Sequence, residues 1–173
     1  MAEERFGLVQ FEGKDVTVIG PDLRPGQKAP AFKALDQAWQ ERHPLEESRG
    51  KVRVLAALLS LATSVCDTET RRFNQEAAGL GSDVQIFVLS TDLPFSQKGW
   101  CGAAGVDRLT ALSDNAFVDF GTRYGCLIKE HRFLRRAVFV IGRDDQVVYA
   151  DYMPALGQEP KYDEVLAAVR KAL

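Results

Sequence analysis

The sequence is short of the residues that most often bind metals and form cross-links. Its 173 residues include only three cysteines and two histidines. No Cys-x-x-Cys or His-x-x-x-His pair occurs, so the ligand spacing of a zinc site is missing. Neither a Gly-x-Gly-x-x-Gly segment nor a P-loop is present, which removes the usual support for a nucleotide cofactor. We therefore expect a protein without a metal or a cofactor.

Strong charge and long apolar segments are lacking as well. The formal net charge is −2 at pH 7, which argues against a basic surface for nucleic acid or an anionic membrane. No apolar run approaches the roughly 20 residues that cross a bilayer, and residues 1–5 lack the apolar core of a signal peptide. We expect a cytoplasmic protein with no nucleic-acid or membrane partner. In that reducing compartment, a disulfide belongs to a chemical cycle and not to a static scaffold.

Composition and pattern both indicate one α/β domain over residues 1–173. Hydrophobic residues make up 46% and charged residues 27%, as in ordinary globular proteins. Apolar runs alternate with helical periods and end in a hairpin and a helix, which predicts a mixed sheet with an antiparallel edge. The predicted strands are residues 6–11, 16–20, 52–60, 84–90, 136–142 and 147–150. The predicted helices are a segment that begins after Thr63 or Ser64 and is ended by Gly79 and Gly81, a short weak helix at 94–105 broken by glycines, residues 116–124 and residues 162–173.

Cys66 is the most informative residue, because it follows an apolar strand and lies in the first turn of the next predicted helix. Unpaired N–H groups and the positive end of the helix dipole favour an anion there. For a cysteine, that anion is the thiolate, which is the reactive form. An ordinary thiol is only a few per cent ionised at pH 7, and a helix terminus alone supplies too little stabilisation to change this. We therefore expect a cation from elsewhere in the chain.

Thr63 and Cys101 are two further candidates for the same chemistry, and each also has a purely structural interpretation. Thr63 lies three residues before Cys66, so its hydroxyl either reaches the sulfur or an oxygen beside it, or only caps the helix in competition with Ser64. Cys101, in a glycine-flanked segment, either resolves an oxidised Cys66 or is a buried structural cysteine.

The candidate cations are three arginines near the start of one predicted strand, and the pattern alone does not choose among Arg132, Arg135 and Arg136. A guanidinium at a neighbouring strand end would favour a thiolate and hold an oxygen anion.

The remaining polar and sulfur-containing residues near these motifs receive structural interpretations. Cys126 is predicted to be a small buried apolar residue. Asp67 and Glu69 are interpreted as acids that complement the helix dipole. Glu69 and Arg72 are predicted to form an ordinary pair on a solvated helix face.

Several motifs together resemble the thiol peroxidase subfamily of the peroxiredoxins, the bacterial atypical two-cysteine type. Residues 11–18 look like its N-terminal hairpin, and residues 26–32 look like the Gly-x-x-Ala-Pro-x-Phe motif of peroxiredoxins. Residues 63–74 are similar to its peroxidatic site, and residues 92–105 are similar to its resolving site. Arg136-Ala137-Val138 matches the strand that carries its catalytic arginine, so the resemblance chooses Arg136 among the three candidates. It covers nearly the whole chain, and its joint order and spacing make it specific.

The resemblance implies a thioredoxin fold of the peroxiredoxin type, with a mixed central sheet and an N-terminal β-hairpin, in a homodimer. It also implies that Cys66 attacks hydrogen peroxide or an organic hydroperoxide and becomes a sulfenic acid. Thr63 and Arg136 would position the peroxide and stabilise the leaving oxygen. Cys101 would then form an intrachain disulfide after local unwinding of the Cys66 helix, and thioredoxin would reduce it.

Three positions depart from the pattern of the subfamily. Leu59 replaces the usual proline and leaves an N–H free, Ala62 replaces an aspartate, and Gly99 replaces an arginine. We expect altered peroxide selectivity from the first two changes, and a change in the flexibility or reductase docking of the Cys101 segment from the third. The alternative functions are a peroxide sensor or redox interaction protein on the same scaffold, and a disulfide reductase, which the lack of Cys-x-x-Cys disfavours.

Overall fold

A computed structural model describes all 173 residues, and its central feature is a mixed sheet of seven strands. The strands are β1 (Glu4–Phe11), β2 (Lys14–Ile19), β3 (Ala34–Leu35), β4 (Glu41–Arg42), β5 (Val52–Ala57), β6 (Val84–Ser90), β7 (Thr110–Ser113), β8 (Leu127–Ile128), β9 (Ala137–Ile141) and β10 (Val147–Tyr152). The helices are α1 (Pro44–Glu47), α2 (Ser64–Leu80), α3 (Pro94–Ala104), α4 (Asp119–Arg123) and α5 (Tyr162–Ala172).

The central sheet has the strand order β10-β9-β5-β6-β7-β3-β4. Strands β5, β6 and β7 are parallel, whereas β9 runs antiparallel to β5 and β10 runs antiparallel to β9. The predicted mixed sheet with an antiparallel edge is thus confirmed, as is the N-terminal hairpin of β1 and β2. The hairpin forms a separate small sheet with β8, a short strand that the sequence pattern did not reveal.

Apolar side chains cover both faces of the central sheet, which explains why its strands are continuous apolar runs. On one face, Leu55 and Phe139 pack with the aromatic residues Phe120 and Tyr124. On the other face, alternate residues of the same strands pack against α2 and α5. Cys66 lies in this second cluster, so α2 carries it directly onto the sheet.

Several predicted boundaries were wrong. The 94–105 segment is not a broken helix: α3 is continuous over Pro94–Ala104 and ends at Gly105 in the left-handed region. The fourth helix begins at Asp119 and not at residue 116, because Val118 has φ = 45° and cannot continue a right-handed helix. Strand β5 ends at Ala57, and the rest of its apolar run leads into the loop before α2. No helix in the structure is both long enough and apolar enough to cross a bilayer.

Candidate active site

Cys66 lies in the first turn of α2, as predicted, and its side chain is fully buried. Thr63, not Ser64, is the N-cap: its backbone is extended, and its hydroxyl oxygen accepts the backbone N–H of Cys66 at 3.4 Å. The same hydroxyl donates to the carbonyl of Ser60 at 3.1 Å. Thr63 therefore caps the helix and lies directly beside the cysteine, so the two interpretations of this residue are compatible.

Arg136 is the arginine that reaches the cysteine. It directly precedes β9, and its Nη2 donates to Cys66 Sγ at 3.2 Å. Its Nε and Nη2 also donate to the carbonyl of Leu156 at 3.2 and 3.1 Å, which holds the guanidinium plane in place. Burial opposes the charge, but Glu69 and Cys66 outweigh this effect and raise the pKa of Arg136 above its usual value. A permanent cation therefore faces the thiol.

The neighbouring arginine Arg135 has a different role. Its Nη2 pairs with Asp22, its Nε donates to the carbonyl of Gly125 at 2.8 Å, and its guanidinium lies 4.2 Å from the ring centroid of Tyr152. It stabilises the loop before β9 on the side away from the thiol.

Glu69 is a site residue that was predicted to lie on a solvated face. The predicted solvated pair with Arg72 is wrong, because Glu69 is fully buried and pairs with Nη1 of Arg136, while Arg72 pairs with Glu76. The reason is helical geometry: Glu69 lies three residues after Cys66 and four before Phe73, on the face that packs on the sheet. That spacing was a signal available in the sequence.

The environment of Glu69 perturbs its acidity. Burial raises the pKa of this carboxyl to about 7, although the charge and hydrogen bond of Arg136 act in the opposite direction. One carboxylate oxygen, Oε1, has no hydrogen-bond partner. The protonation of Glu69 therefore changes near neutral pH, directly behind the guanidinium that faces Cys66.

The loop between β5 and α2 is held by Asp92, a second residue whose role the pattern did not indicate. Its carboxylate accepts the Ser60 hydroxyl at 2.6 Å, the Leu61 N–H at 2.8 Å and the Ser90 hydroxyl at 2.7 Å. Ala62, which takes the place of the aspartate of the subfamily, is exposed. The loop before Thr63 is thus fixed from β6, and not by an acid at position 62.

A pocket of about 420 Å³ lies beside the candidate active site. Its wall combines the N-terminal hairpin, the start of α2 and the loop after β10, with the lining residues Gln10, Phe11, Glu12, Leu59, Thr63, Ser64, Val65, Ala155, Leu156 and Gly157. Leu59 packs between two apolar clusters, and its backbone N–H makes no hydrogen bond. The residue at the usual proline position is therefore part of the wall of this pocket.

Cys101 lies in α3 and is almost fully buried. Burial raises the pKa of its thiol, and a side-chain hydrogen bond with Gln37 partly offsets this. All three cysteines are free thiols, so Cys66 and Cys101 are not bonded to each other. Cys66 lies on α2 and Cys101 on α3. A disulfide between them requires rearrangement of the chain.

Cys126 is a buried apolar residue, as predicted. It is fully buried, burial raises its pKa to about 12, and its thiol donates to the carbonyl of Tyr124 at 3.3 Å. Such a thiol stays protonated at neutral pH and is inert.

The geometry brings Cys66, Thr63, Arg136 and Glu69 together and leaves Cys101 on a neighbouring helix. A buried sulfur that faces a cation at a helix N-terminus is suited to act as a thiolate nucleophile. The guanidinium that faces the sulfur is also placed to stabilise negative charge on an oxygen that reacts there.

Comparisons with known proteins show which family the chain resembles. Residues 24–166 match the family described as Redoxin. The chain is 43% identical over 163 residues to a curated thiol peroxidase from Oceanobacillus iheyensis, covering 94% of this chain and 98% of that protein. It is 41% identical over 162 residues to the thiol peroxidase of Bacillus subtilis, covering 94% and 96%.

Solved structures show the same fold. A peroxiredoxin-like protein from Aquifex aeolicus superposes with a TM-score of 0.86 at 34% identity, covering 99% of both chains. A thiol peroxidase from Chromobacterium violaceum superposes with a TM-score of 0.83 at 21% identity, covering 98% of this chain and 97% of the other, which supports the fold alone.

Proposed function

Because the chain belongs to the redoxin family and, within the peroxiredoxins, to the thiol peroxidases, we propose that it reduces hydroperoxides through Cys66. The observation that carries this proposal is the 3.2 Å contact between Arg136 Nη2 and Cys66 Sγ at the start of α2. It supplies the cation that a helix terminus alone lacks, and both side chains are buried.

In the first step, the Cys66 thiolate attacks the terminal oxygen of hydrogen peroxide or of an organic hydroperoxide. The O–O bond breaks, the sulfur becomes a sulfenic acid, and the leaving oxygen departs as water or an alcohol after it takes a proton. Arg136 stabilises the charge on the reacting oxygens. The Thr63 hydroxyl, which donates to the Ser60 carbonyl in the structure, turns toward the peroxide. The pocket lined by Leu59 and Thr63 is the route that we propose for the substrate, because Thr63 caps the turn that carries Cys66.

In the second step, the Cys101 thiol condenses with the Cys66 sulfenic acid. An S–S bond forms, the S–O bond breaks and water leaves, so the two thiols have together reduced one peroxide. Both cysteines are buried on separate helices, so the step requires local unwinding. Reduced thioredoxin then restores the two thiols by exchange.

The assay for this function is peroxide consumption in the presence of thioredoxin and its reductase. We expect turnover that is abolished in Cys66→Ser and retained in Cys126→Ala, a matched control because Cys126 is buried away from Arg136. Peroxide consumption that survives unchanged in Cys66→Ser would overturn the proposal.

A peroxide sensor or redox interaction protein is the second candidate, favoured by the unusual residues Leu59 and Ala62. It predicts a stable Cys66–Cys101 disulfide with very slow turnover, whereas the enzyme predicts repeated cycles. Steady-state rates with thioredoxin separate the two functions.

The remaining expectations concern assembly and location, and they rest on the resemblance to the subfamily. We propose that residues 1–173 unfold as one domain, form a homodimer and act in the cytoplasm. A single calorimetric transition, a sedimentation mass of twice 19.2 kDa and cell fractionation test these three points.

A further inference from the structure

The two helices that carry the reactive cysteines are joined by a contact among three side chains, Asp67, Arg71 and Trp100, which we call the α2–α3 clamp. The indole N–H of Trp100 donates to Oδ1 of Asp67 at 3.1 Å, and Nε of Arg71 donates to Oδ2 of the same carboxylate at 2.9 Å. The Arg71 guanidinium lies 5.5 Å from the centroid of the Trp100 ring and completes the triangle. Nη1 of Arg71 also donates to the carbonyl of Ala104 at 3.3 Å, near the end of α3.

The clamp residues are the immediate neighbours of the two cysteines. Asp67 directly follows Cys66, and Trp100 directly precedes Cys101. Consecutive side chains in a helix point about 100° apart, so residues beside the cysteines face each other while the thiols are directed elsewhere. Cys66 faces Arg136, and Cys101 interacts with Gln37.

A disulfide requires the Cα atoms of the two cysteines to lie within about 4.4–6.8 Å, with their Cβ vectors directed at each other. Turning Cys66 and Cys101 toward each other rotates or unwinds the turns that hold Asp67 and Trp100. The hydrogen bond between these two neighbours breaks in that movement. We therefore expect the closed clamp to oppose formation of the disulfide.

We propose that the α2–α3 clamp sets how long the oxidised Cys66 persists before Cys101 resolves it. This inference rests on the proposed peroxidase cycle. While the clamp is closed, Cys66 stays beside Arg136 and reacts with peroxide; only after the clamp opens does Cys101 attack the sulfenic sulfur, with formation of the S–S bond and release of water. Asp67, Arg71 and Trp100 are positioning residues, because they touch no reacting atom.

The clamp also determines sensitivity to over-oxidation. A second peroxide molecule that reaches the sulfenic acid before Cys101 does converts it to a sulfinic acid, which thioredoxin does not reduce. The two outcomes compete, so slower opening of the clamp increases the sulfinic fraction at a given peroxide concentration.

The test is a rapid-quench experiment with hydrogen peroxide, in which mass spectrometry separates thiol, trapped sulfenic acid and disulfide. Trp100→Phe keeps an aromatic ring against Arg71 but removes the N–H that reaches Asp67. We expect conversion of sulfenic acid to disulfide to accelerate about threefold to tenfold, a modest factor because the Asp67–Arg71 pair is partly exposed. The bimolecular rate of Cys66 oxidation stays unchanged, and the peroxide concentration that inactivates half of the protein rises by the same factor.

Asp67→Ala provides a second variant in case Trp100→Phe folds poorly, and Glu76→Ala is its matched control. Both remove the acid of an i,i+4 pair with an arginine on α2, but only Asp67 contacts α3. Asp67→Ala should accelerate disulfide formation and Glu76→Ala should not. Because Asp67 also complements the helix dipole, the Asp67→Ala/Trp100→Phe double variant separates the two effects.

If the clamp acts as a unit, the double variant is no faster than Asp67→Ala alone. Unchanged disulfide formation in Trp100→Phe, or fully multiplicative effects in the double variant, would overturn the proposal. Failure of the underlying peroxidase function has a different signature, since the parent protein would then show either no oxidation of Cys66 or a disulfide that thioredoxin does not turn over.

Discussion

The Arg136 guanidinium lies 3.2 Å from Cys66 Sγ, although 70 positions separate the two residues along the chain. The contact forms because β5 and β9 are neighbours in the sheet: the chain leaves β5 toward α2, where Cys66 lies, and enters β9 directly after Arg136. Glu69, on the same face of α2 as the cysteine, pairs with the other side of the guanidinium. The guanidinium thus has two partners on this face of α2, the Glu69 carboxyl and the Cys66 sulfur.

Replacement of Arg136 by lysine should slow the oxidation of Cys66 by about 100-fold or more, since a single preorganised donor to a reacting oxygen contributes that much. An ammonium group lacks the planar fork that contacts Cys66, Glu69 and the Leu156 carbonyl together. Stopped-flow measurement of the bimolecular rate checks this, with Arg132→Lys, at an exposed arginine in the turn after β8, as the control. Equal rates in the two variants would contradict it.

The buried carboxyl of Glu69 predicts a dependence of stability on pH. Its pKa rises from the ordinary value of 4.5 to about 7 on folding, so the folded state binds the proton more tightly than the unfolded state. The resulting stabilisation is complete below pH 4.5 and is lost as the pH rises through about 7. In Glu69→Gln, the decrease in the free energy of unfolding between pH 5 and 8 should be smaller by up to about 3 kcal/mol.

Urea unfolding at several pH values measures this dependence, and Glu76→Gln is the matched control on the exposed side of α2. The Glu69→Gln curve should be flatter than the other two. Burial also raises the pKa of Asp114 to about 7, so part of the pH dependence of stability remains in every variant. Parallel curves for Glu69→Gln and the parent protein would rule out a perturbed Glu69.

Gly99 allows a test of whether α3 must unwind. A Cβ at this helical position meets no atom within 4 Å, so Gly99→Ala should stabilise α3 by about 1 kcal/mol. We expect disulfide formation to slow up to about fivefold, without a change in the oxidation of Cys66. Gly79→Ala, in equally open space at the far end of α2, is the control. Faster or unchanged disulfide formation in Gly99→Ala would show that α3 stays folded during the step.

Leu59 should affect the choice of substrate. Its side chain lines the pocket beside Thr63, and its free N–H means that proline removes no hydrogen bond there. In Leu59→Pro, the smaller side chain should raise kcat/KM for cumene hydroperoxide relative to hydrogen peroxide by about tenfold. Steady-state kinetics with both peroxides measure this ratio. An unchanged ratio would show that the Leu59 wall does not contact the substrate.

The sequence predicted the parts of the site that depend on local patterns. Thr63 and Cys66 follow an apolar strand at a helix start, and the 3.6-residue period of α2 identified Phe73 as buried. Glu69 was misplaced because charged residues are rarely buried, although its spacing from Cys66 and Phe73 puts it on the same face.

Contacts between distant segments could not be predicted from local patterns. Asp92 fastens the loop before Thr63, and Trp100 reaches Asp67, only because β6 and α3 lie beside α2 in the folded chain. The strands β3, β4 and β8 were missed because two residues carry no periodicity, and the four-residue strand β7 was missed as well. The fourth helix is shorter than predicted because Val118 adopts a left-handed backbone conformation, which a β-branched residue does not favour.

The most direct test of the account is to map the cysteines after addition of one equivalent of peroxide. Mass spectrometry of the alkylated, unreduced protein should find a single intrachain Cys66–Cys101 bond, with Cys126 still a thiol. Cys66→Ser should show no such bond and no peroxide loss. A bond that involves Cys126, or peroxide reduction that persists in Cys66→Ser, would contradict the assignment of Cys66 as the reacting residue and Cys101 as its partner.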